Sequence, residues 1–488
     1  MHRAVPIILL TLAGCQTAPP APGRPDVSTR IAERFQQTVS SKTAPGEFTL
    51  PPGASLDDGV TEDEAIAIAL WNNAAFHELL ADLGLARGDL IQAGLLPNPE
   101  FVYFFPMTDK PFKYLFDFPI EAIWLRPIRV KSAEHEADRT AERLTQAGLD
   151  LIRDVRQAYA DVLLAKERLR VAGESVKIRG LISQLAEKRL KAGDISPQEA
   201  ATARIDSLQA EQDALRASYD VPVMEERLRN LMGFGSNRPS LNLDPSPPPA
   251  CQTFDLEALM NEALQSRPDA LAAIQAVEAA RARVRFAKLG WVRLLGLGDA
   301  TSGTGSHVFG PALRFTVPLF NRNQGGVTRA EAELERAERN RQTVANQIIL
   351  DVQRSHLQYR QACTELEWLR SKVRPEVEAA IRRLQAAYLE GNVTIFIVLE
   401  TTRQLLDNYL REAQLVADLR RFWAELERST GRKLLGVPAP PTAPVPKVPY
   451  SKPVEPPSVP TPVVPASFSP PPAPKPAEPQ WRPAGVHP

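Results

Sequence analysis

The pattern of apolar and polar positions divides the chain into two units that carry the same elements in the same order. Each unit begins with a helical pattern, continues with a stretch rich in Pro, Gly and aromatic residues, and ends with a long helix and a return helix joined by a turn. The predicted elements are 61–94, 96–125, 127–192 and 197–232 in the first unit, and 255–289, 291–323, 324–390 and 394–430 in the second. Matched residues recur at a nearly constant spacing, such as Pro119 with Pro318 and Gly193 with Gly391, which indicates an internal tandem repeat.

The predicted helix lengths favour an elongated molecule. A helix over 127–192 would be about 100 Å long at 1.5 Å per residue, which is too long to be buried in a compact domain. The first and return helices of a unit together match this length, so we expect them to stack end to end beside the long helix in a coiled-coil arrangement. Ser196 and Glu199 have capping-box spacing and mark a helix start. Pro222 and Pro375 lie inside helical patterns, where we expect kinks.

The aromatic stretches predict strands with two different faces. Within 112–118 every second residue is aromatic, and the alternate positions include Lys113 and Asp117. This period of two suits a membrane strand with lipid on one side and water on the other; a soluble hairpin that packs on a core is the alternative. Further strands are expected at 100–105, 292–297 and 313–317. The residues assigned to the barrel strands are Phe101, Tyr103, Phe105, Phe112, Tyr114, Phe116, Phe118, Leu313, Phe315 and Val317.

Four strands in each chain predict a trimer. Open sheet edges are not tolerated in lipid, and four strands are too few to close a barrel. Three chains would supply twelve strands, which is an allowed even number. The expected fold class is therefore mainly α with a membrane β-barrel, in which long coiled-coil helices accompany four strands from each protomer of a 12-stranded trimeric barrel.

The N-terminus resembles a bacterial lipoprotein export signal. Residues 1–14 combine one positive charge, a short apolar core and small residues, and the tetrad Leu-Ala-Gly-Cys that ends at Cys15 resembles a lipobox. In such signals the Cys is acylated and begins the mature protein, and Gln16 after it favours the outer membrane. An ordinary signal peptide with a chance Cys is the alternative. The predicted domains are a signal at 1–14, a lipid anchor and extended segment at 15–60, repeats at 61–233 and 255–431, a linker at 234–254, and a Pro-rich disordered tail at 432–488.

Composition excludes several classes of protein. The 58 Lys and Arg residues balance 58 Asp and Glu residues, so no net charge favours nucleic acid. Three Cys rule out a disulfide scaffold, and no apolar run approaches the ~20 residues of a membrane-spanning helix. The sequence shows no catalytic, phosphate-binding or metal-binding motif, so we expect no enzymatic activity, cofactor or bound metal. Cys251 and Cys363 are able to pair in an oxidising periplasm, but the expected state is two unpaired thiols.

Several motifs resemble the TolC family of outer-membrane efflux ducts. They are Leu-Leu-Pro-Asn-Pro ending at Pro99, Pro-Leu-Phe-Asn-Arg-Asn-Gln-Gly-Gly from Pro318, and Tyr-Leu-Glu-Gly-Asn-Val-Thr from Tyr388. The second string is similar to the branch that is paired with heavy-metal or multidrug pumps of the resistance-nodulation-division type. The resemblance covers about 61–431 and implies a homotrimer, with a β-barrel in outer-membrane lipid and an α-barrel that crosses the periplasm to a closed tip.

The resemblance implies a passive exit duct of a tripartite efflux system, supplied by a periplasmic adaptor protein and an inner-membrane proton-driven pump. A type I protein-secretion duct shares the whole architecture. A periplasmic coiled-coil lipoprotein without a pore is a third possibility. The sequence does not name the exported substrate, because a wide duct does not select chemically.

The resemblance also assigns roles to residues at the helical turns. Both turns between a long helix and its return helix are expected to meet the adaptor, although Gly, Asn or Asp and a capping Ser or Thr also satisfy the geometry of such turns. Glu400 matches an acidic position that narrows the closed periplasmic mouth, where three copies would favour cations. A solvated Glu400 paired with Arg403 is the alternative. The residues assigned to adaptor docking are Arg189, Gly193, Asp194, Ser196, Tyr388, Gly391, Asn392 and Thr394.

Overall fold

The computed structural model describes residues 20–40, 46–56, 58–105, 112–235, 241–244, 247–291, 294–303, 306–389 and 393–434. Some of the sequence predictions concern other residues: the export signal, Cys15, Gly391, Asn392 and the tail after Leu434 lie outside the described ranges. Among the residues described, no helix combines the length and the apolar character that crossing a membrane requires.

The elements follow the predicted order in each repeat. The helices are α1 (Arg24–Phe35), α2 (Glu62–Asn72), α3 (Ala74–Leu80), α4 (Asp82–Gly94), α5 (Glu121–Ala192), α6 (Pro197–Leu231), α7 (Leu256–Ser266), α8 (Pro268–Leu289), α9 (Gln324–Trp368), α10 (Arg374–Leu389) and α11 (Ile395–Thr430). A π-helical segment, Leu369–Val373, joins α9 to α10. The strands are β1 (Glu100–Phe104), β2 (Phe112–Pro119), β3 (Leu294–Gly303) and β4 (Ser306–Phe315).

The first helix of each repeat is interrupted, so the prediction of continuous helices at 61–94 and 255–289 is wrong. In the first repeat, Asn73 ends α2 and its side chain caps α3. In the second, Arg267 has an extended backbone and separates α7 from α8. Pro268 explains this break, because a proline ring disfavours the helical conformation in the residue before it.

The two long helices differ in continuity. α5 has 72 residues and begins at Glu121, before the predicted start at Pro127, which lies inside the helix. At 1.5 Å per residue it is about 108 Å long. The second long helix changes to the π-helical segment directly before Pro375, which lacks the N–H of a regular helical position. α6 continues through Pro222 without interruption.

The N-terminal segment contains a helix, which corrects the prediction of an extended chain over 15–60. Pro25 occupies the first turn of α1, where its missing N–H is not needed. Val27, Ile31 and Phe35 recur at helical spacing and are buried in the core of the first repeat. α1 is therefore part of the folded body and packs on α5.

The four strands form one sheet in the order β1-β2-β3-β4, and every neighbouring pair is antiparallel. The hairpins of the two repeats are therefore joined through β2 and β3. Phe101 lies opposite Phe116, and Tyr103 lies opposite Tyr114, so aromatic positions share one face of β1 and β2. Phe105 follows the end of β1 and Val317 lies beyond the end of β4, so these two predicted strand positions are wrong. The remaining predicted strand positions lie within β2 and β4. They are Phe112, Phe118, Leu313 and Phe315.

The helices form two layers that share α5 and the second long helix. Next to the sheet, α5 packs between α4 and α8, and α8 packs between α5 and α9. Farther from the sheet, α5 packs between α6 and α11, and α11 packs against α9 and α10. The outermost helices are thus α4 and α6 on one side, and α9 and α10 on the other. α4 leads into the edge strand β1, and the edge strand β4 leads into α9.

A disulfide corrects the expectation of two unpaired thiols. Cys251, in the linker between the repeats, is bonded to Cys363 on α9, and their Cα atoms are 5.7 Å apart. The hydroxyl of Tyr359, one turn earlier on α9, donates to the carbonyl of Ala250 at 2.9 Å and accepts from the backbone N–H of Gln252 at 2.8 Å. The linker is therefore fastened to α9 on both sides of the disulfide.

Candidate functional site

One face of the sheet is rich in aromatic side chains, and the opposite face combines charged residues with the exposed apolar residues Val102 and Phe104. On the aromatic face the ring of Tyr114 lies 5.6 Å from that of Phe101 and 5.0 Å from that of Tyr103. On the other face Arg314 Nη2 lies 3.0 Å from Asp117 Oδ2. Other exposed side chains on the aromatic face are Phe116, Leu313 and Phe315. The aromatic face suits contact with lipid, and the charged residues of the opposite face suit contact with water.

In an isolated chain, the outer strands and the outermost helices on both sides of the described molecule lack packing partners on their outer faces. β1 and β4 have no partner on their outer edges within the described sheet. Apolar side chains also remain exposed along the outermost helices, and exposed apolar stripes of this kind mark contact surfaces. On α6 they are Ile205, Leu208, Leu215, Tyr219 and Val223, and on α9 they are Leu350, Leu357 and Trp368.

The first turn, between α5 and α6, is exposed and has well-defined geometry. Gly193 has φ 82°, a left-handed conformation that glycine adopts without strain. The backbone N–H of Asp194 donates to the carbonyl of Arg189 at 2.9 Å, which closes α5. Ser196 accepts from the N–H of Glu199, and the Glu199 carboxylate accepts from the N–H of Ser196 at 2.9 Å. The local geometry explains these residues, and Gly193, Asp194 and Ser196 remain accessible to a partner.

The second turn is described only in part. Thr394 occupies the N-cap position of α11 and is exposed. Tyr388 lies in α10, and its side chain is outside the described residues, as are Gly391 and Asn392. The structure therefore describes the residues on either side of this turn but not its predicted centre.

A small apolar cluster joins the first hairpin to α11 near the turns. Its buried members are Ala186 on α5, Ala203 on α6, and Val398 and Leu399 on α11. Glu400 follows this pair and is exposed. Its carboxylate accepts a hydrogen bond from Gln404 at 3.4 Å.

A buried carboxylate links three helices beside this cluster. Asp206 on α6 is buried, and its Oδ1 lies 3.3 Å from Arg179 Nη1 of α5. Arg403 of α11 donates to the same oxygen from Nε at 3.0 Å. This hydrogen bond raises the pKa of Arg403, and the charge of Glu400 acts in the same direction. Glu400 therefore acts on Arg403 through its charge, while the side chain of Arg403 donates hydrogen bonds to Asp206.

Sequence reasoning missed the role of Asp206. Its acidic side chain occurs in a helix with many charged residues, and only its position opposite Arg179 and Arg403 distinguishes it. A weak signal was available, because Asp206 lies one turn after Ala203 on the apolar face of α6. A carboxylate on such a face requires a cationic partner from a neighbouring helix.

The two faces of α11 differ. Tyr409, Glu412 and Val416 line a cavity of about 600 Å³, together with Leu163 of α5 and Leu243 of the linker. At 100° per residue, the exposed side chains on α11 lie on nearly the opposite side of the helix. These exposed residues are Phe396, Ile397, Glu400, Arg403, Gln404, Asp407 and Arg411. Glu400 therefore lies away from the face that the linker covers.

Buried charges join the repeats where the return helices end. Arg156 of α5 binds Glu427 of α11, and its Nε lies 3.4 Å from Glu62 Oε1. Burial raises the pKa of Glu62, whereas the charges of Arg156 and Arg420 lower it. Because every acid in this group has a cationic neighbour, the network holds α2, α5 and α11 together without a net unpaired charge.

No metal centre is formed by the part of the chain that the structure describes. Groups of three or more His, Cys, Asp or Glu that could hold an ion do not occur there.

The matched segments of a known family coincide with the two repeats. The pattern of the family described as outer membrane efflux protein matches residues 123–234 and 259–432, which together are more than half of the chain. The chain belongs to the outer membrane efflux protein family. The resemblance to TolC-type proteins and the internal repeat are thereby confirmed, since one matched segment falls on each predicted repeat and ends within one residue of its end.

Individual relatives agree with this assignment. The cobalt-zinc-cadmium resistance protein CzcC of Cupriavidus metallidurans is 25% identical over 385 residues, which cover 76% of this chain and 90% of CzcC. The outer membrane protein VceC of Vibrio cholerae has a similar structure, with a TM-score of 0.64 and 17% identity over 76% of this chain and 96% of VceC. CusC, a protein that forms a transmembrane channel, gives a TM-score of 0.63 and 17% identity over 81% of this chain and 98% of CusC. The fold is that of outer-membrane channels, with long helices continued by a membrane sheet.

Proposed function

We propose that this protein is the outer-membrane exit duct of a tripartite efflux system. It conducts substrates passively, and a periplasmic adaptor and an inner-membrane proton-driven pump supply them and the energy. The observation that carries this proposal is that a member of the efflux family has a four-stranded sheet whose two outer edges are unpaired among the described residues. The helices on the same two sides of the chain also expose apolar side chains. A duct closes these edges when several copies assemble.

The positions of the open edges support a trimer. β1, α4 and α6 lie on one side of the chain, and β4, α9 and α10 lie on the other. A head-to-tail contact between these two sides closes into a ring when the rotation is a third of a turn. Three copies give a 12-stranded barrel without edges, which lipid requires. The same contact covers the apolar stripes of α6 and α9.

The end of the molecule that carries the two helical turns, here called the tip, supports contact with an adaptor. It also supports control of the periplasmic mouth of the duct. The turn at Gly193 and Asp194 is exposed at the end of the longest hairpin, and Thr394 marks the corresponding end of the second. Glu400 lies on the face of α11 opposite the linker. Because a linker that filled the lumen would block conduction, we assign the linker side to the exterior and Glu400 to the lumen. Three Glu400 carboxylates would then favour cations at the mouth.

The membrane attachment combines lipid and protein. In this proposal Cys15 is acylated and holds the N-terminus at the inner leaflet of the outer membrane. The aromatic face of the sheet contacts lipid, so the barrel stays in the membrane without the acyl chains. Two independent attachments are firmer than one, because a single acyl chain gives marginal binding.

The proposed cargo is divalent heavy-metal ions. The support is the relative CzcC, which is described as a cobalt-zinc-cadmium resistance protein. In a duct the ions are transported and need no resident binding site, so their chemical selection is a task of the pump.

Metal accumulation in cells tests the proposal. A strain without this gene should retain more Co²⁺, Zn²⁺ or Cd²⁺ than its parent, as measured by mass spectrometry of washed cells, and the intact gene should restore export. Gly193→Trp should lower export while trimer yield persists, because a bulky residue obstructs the docking turn. Gly193→Asn is the matched control, since Asn tolerates the left-handed conformation. Unchanged metal retention together with the loss of a secreted protein would indicate a type I secretion duct instead.

A further inference from the structure

We propose that α6 of one copy packs on α9 of the next copy in the same register in which α11 packs on α5 inside the chain. In this contact Arg216 of α6 and Glu365 of α9 form an ion pair between the copies, and this pair fixes the register. The inference rests on the proposed duct, and it adds which residues join neighbouring copies and how they align.

The internal repeat aligns the two long helices residue by residue. Asp154 of α5 corresponds to Asp351 of α9, a shift of 197 residues, whereas Gly193 corresponds to Gly391, a shift of 198. The π-helical segment Leu369–Val373 accounts for the difference, because its wider turn accommodates one more residue than a regular helical turn. The shift between α5 and α9 is therefore 197 residues as far as the end of α9.

The return helices α6 and α11 align in the same way. Gly193 and Gly391 precede them, Gly233 and Gly431 follow them, and both pairs give a shift of 198 residues. α6 is thus the counterpart of α11, and α9 is the counterpart of α5. Within the chain α11 packs on α5. Because α6 and α9 lie on opposite sides of the chain, the corresponding contact requires a second copy.

Side chains that are covered in the first repeat or by it are exposed at the counterpart positions. On the long helices, Val171 is 2% exposed, and its counterpart Trp368 is 63% exposed. On the return helices, Leu406 is 4% exposed, and its counterpart Leu208 is 56% exposed. Large apolar side chains at positions that the other repeat buries indicate that the same kind of cover is supplied by another copy.

Both exposed faces have the spacing of a coiled-coil seam. On each helix the intervals between exposed positions alternate between four and three residues, which is the heptad pattern of helices that pack side by side. The exposed positions on α6 are Ala201, Ile205, Leu208, Gln212, Leu215 and Tyr219. Those on α9 are Leu350, Arg354, Leu357, Gln361, Thr364 and Trp368. The two faces are therefore suited to packing on each other.

The direction of the exposed face of α6 agrees with a closed wall of helices. Ala203, Ser207 and Ala210 are buried on the side of α6 that packs on α5. At 100° per residue, the stripe through Leu208 and Gln212 lies about 150° around the helix from them. Adjacent sides of a twelve-sided ring also meet at about 150°, and three copies supply twelve helices when each contributes α5, α6, α11 and the second long helix.

A polar contact inside the chain defines the register. Arg168 Nη2 of α5 donates to Gln414 Oε1 of α11 at 2.6 Å. With the shifts of 197 and 198 residues, Arg168 corresponds to Glu365 and Gln414 corresponds to Arg216. The contact between copies therefore places an anion on the long helix and a cation on the return helix, and such a pair forms stronger hydrogen bonds than a neutral partner allows.

Glu365 lies at the edge of the exposed face of α9 in a suitable position. Its Oε2 accepts from Arg411 Nη2 of α11 at 2.7 Å, and its Oε1 accepts from Gln361 Nε2 at 2.7 Å. Each carboxylate oxygen has a further lone pair, so another donor can bind. Glu365, Trp368 and Arg411 line an open cavity of about 490 Å³, which Arg216 of the next copy enters in the proposed register.

Crosslinking between introduced cysteines tests the register. Arg216→Cys combined with Glu365→Cys and treated with a short bismaleimide should give covalently linked trimers, and the native protein treated in the same way is the blank. The matched control combines Arg216→Cys with Gln358→Cys, because Gln358 lies one heptad, or about 10.5 Å, before Glu365 on the same side of α9. At this added distance, linkage of the control should be about tenfold lower or less. Efficient linkage of the control, or trimers in which the first pair is not linked, would overturn the inference.

An exchange of charges tests the ion pair. Arg216→Glu and Glu365→Arg should each make the trimer dissociate about tenfold faster or more in dodecyl sulfate, because each places like charges at all three contacts. The two changes combined should restore a rate close to the native one. Lys177→Glu reverses the same charge on α5, whose neighbours α6 and α11 belong to its own chain, so this control should dissociate at the native rate. Failure of the combined variant to recover would contradict the ion pair.

Conductance separates the failure of this inference from the failure of the proposed duct. Native trimers that conduct in a lipid bilayer, but whose cysteine variants are linked only in the control register, would overturn the inference and leave the duct intact. A native protein that stays monomeric and never conducts would overturn both. Linked trimers of the first pair that still conduct would support both.

Discussion

Loss of the Cys251–Cys363 disulfide should destabilise the helical body measurably. The bond joins the linker to α9 across a sequence separation of 112 residues. The chain between them contains α7, α8, both strands of the second repeat and most of α9. Cys251→Ser with Cys363→Ser removes the bond and leaves two small polar side chains.

The loop length sets the size of the effect. In the chain-entropy description, a loop of this length restricts the unfolded chain by about 5 kcal/mol, and native disulfides typically contribute about 2–4 kcal/mol. The two hydrogen bonds of Tyr359 to the linker survive the substitution and keep the linker near α9 in the folded state. We therefore expect the free energy of unfolding to fall by about 2–4 kcal/mol through the unfolded chain.

Urea unfolding in detergent provides the measurement. Circular dichroism at 222 nm follows the helices, and the midpoint should fall in the double variant while the folded spectrum stays unchanged. Each single variant, Cys251→Ser or Cys363→Ser, should match the double one, because either substitution removes the crosslink. Treatment of the native protein with a reductant should give the same shift. A loss below about 1 kcal/mol, or single variants that differ widely from the double one, would refute the reasoning.

Three further predictions concern the tip and the core. Glu400→Gln should reduce cation preference and weaken block by multivalent cations in reconstituted channels; unchanged selectivity would place Glu400 outside the mouth. Arg403→Ala removes one of the two cations on buried Asp206, so α11 should be held less firmly and the closed-state conductance should rise; an equal conductance would contradict a closing role. Burial, followed by the charge of Arg360, lowers the pKa of His356 from 6.5. The contribution of neutral His356 to the free energy of unfolding should therefore be fully present above pH 6.5, and below that pH it should fall by at most about 1.4 kcal/mol per pH unit. Urea midpoints measured over a pH series should depend less on pH in His356→Gln than in the native protein.

The repeat and the element order were predictable because each rests on local chemistry. Hydrophobic periodicity, the capping pair Ser196 and Glu199, and the alternating aromatic residues of β2 all act within a few residues of one another. β3 was harder to delimit, because Gly296 and Gly298 remove side chains from the alternating pattern. The break at Arg267 could have been predicted from Pro268, whose effect on the preceding residue is local.

Other features depend on contacts between distant parts of the chain. Cys251 bonds Cys363, and Asp206 meets Arg403, only after the linker and both hairpins have packed. Helix α1 shows an intermediate case. The spacing of Val27 and Ile31 is local evidence for a helix, but its seat on α5 is visible only in the folded chain.

Single-channel recording most directly tests the central claim that this protein is a duct. Purified protein in detergent should migrate as a trimer and, when added to a planar lipid bilayer, should produce discrete conductance steps. The Arg403→Ala variant should give larger steps than the native protein at the same voltage. A folded, helical protein that never conducts, in the native form or in this variant, would contradict the account and indicate a periplasmic scaffold without a pore.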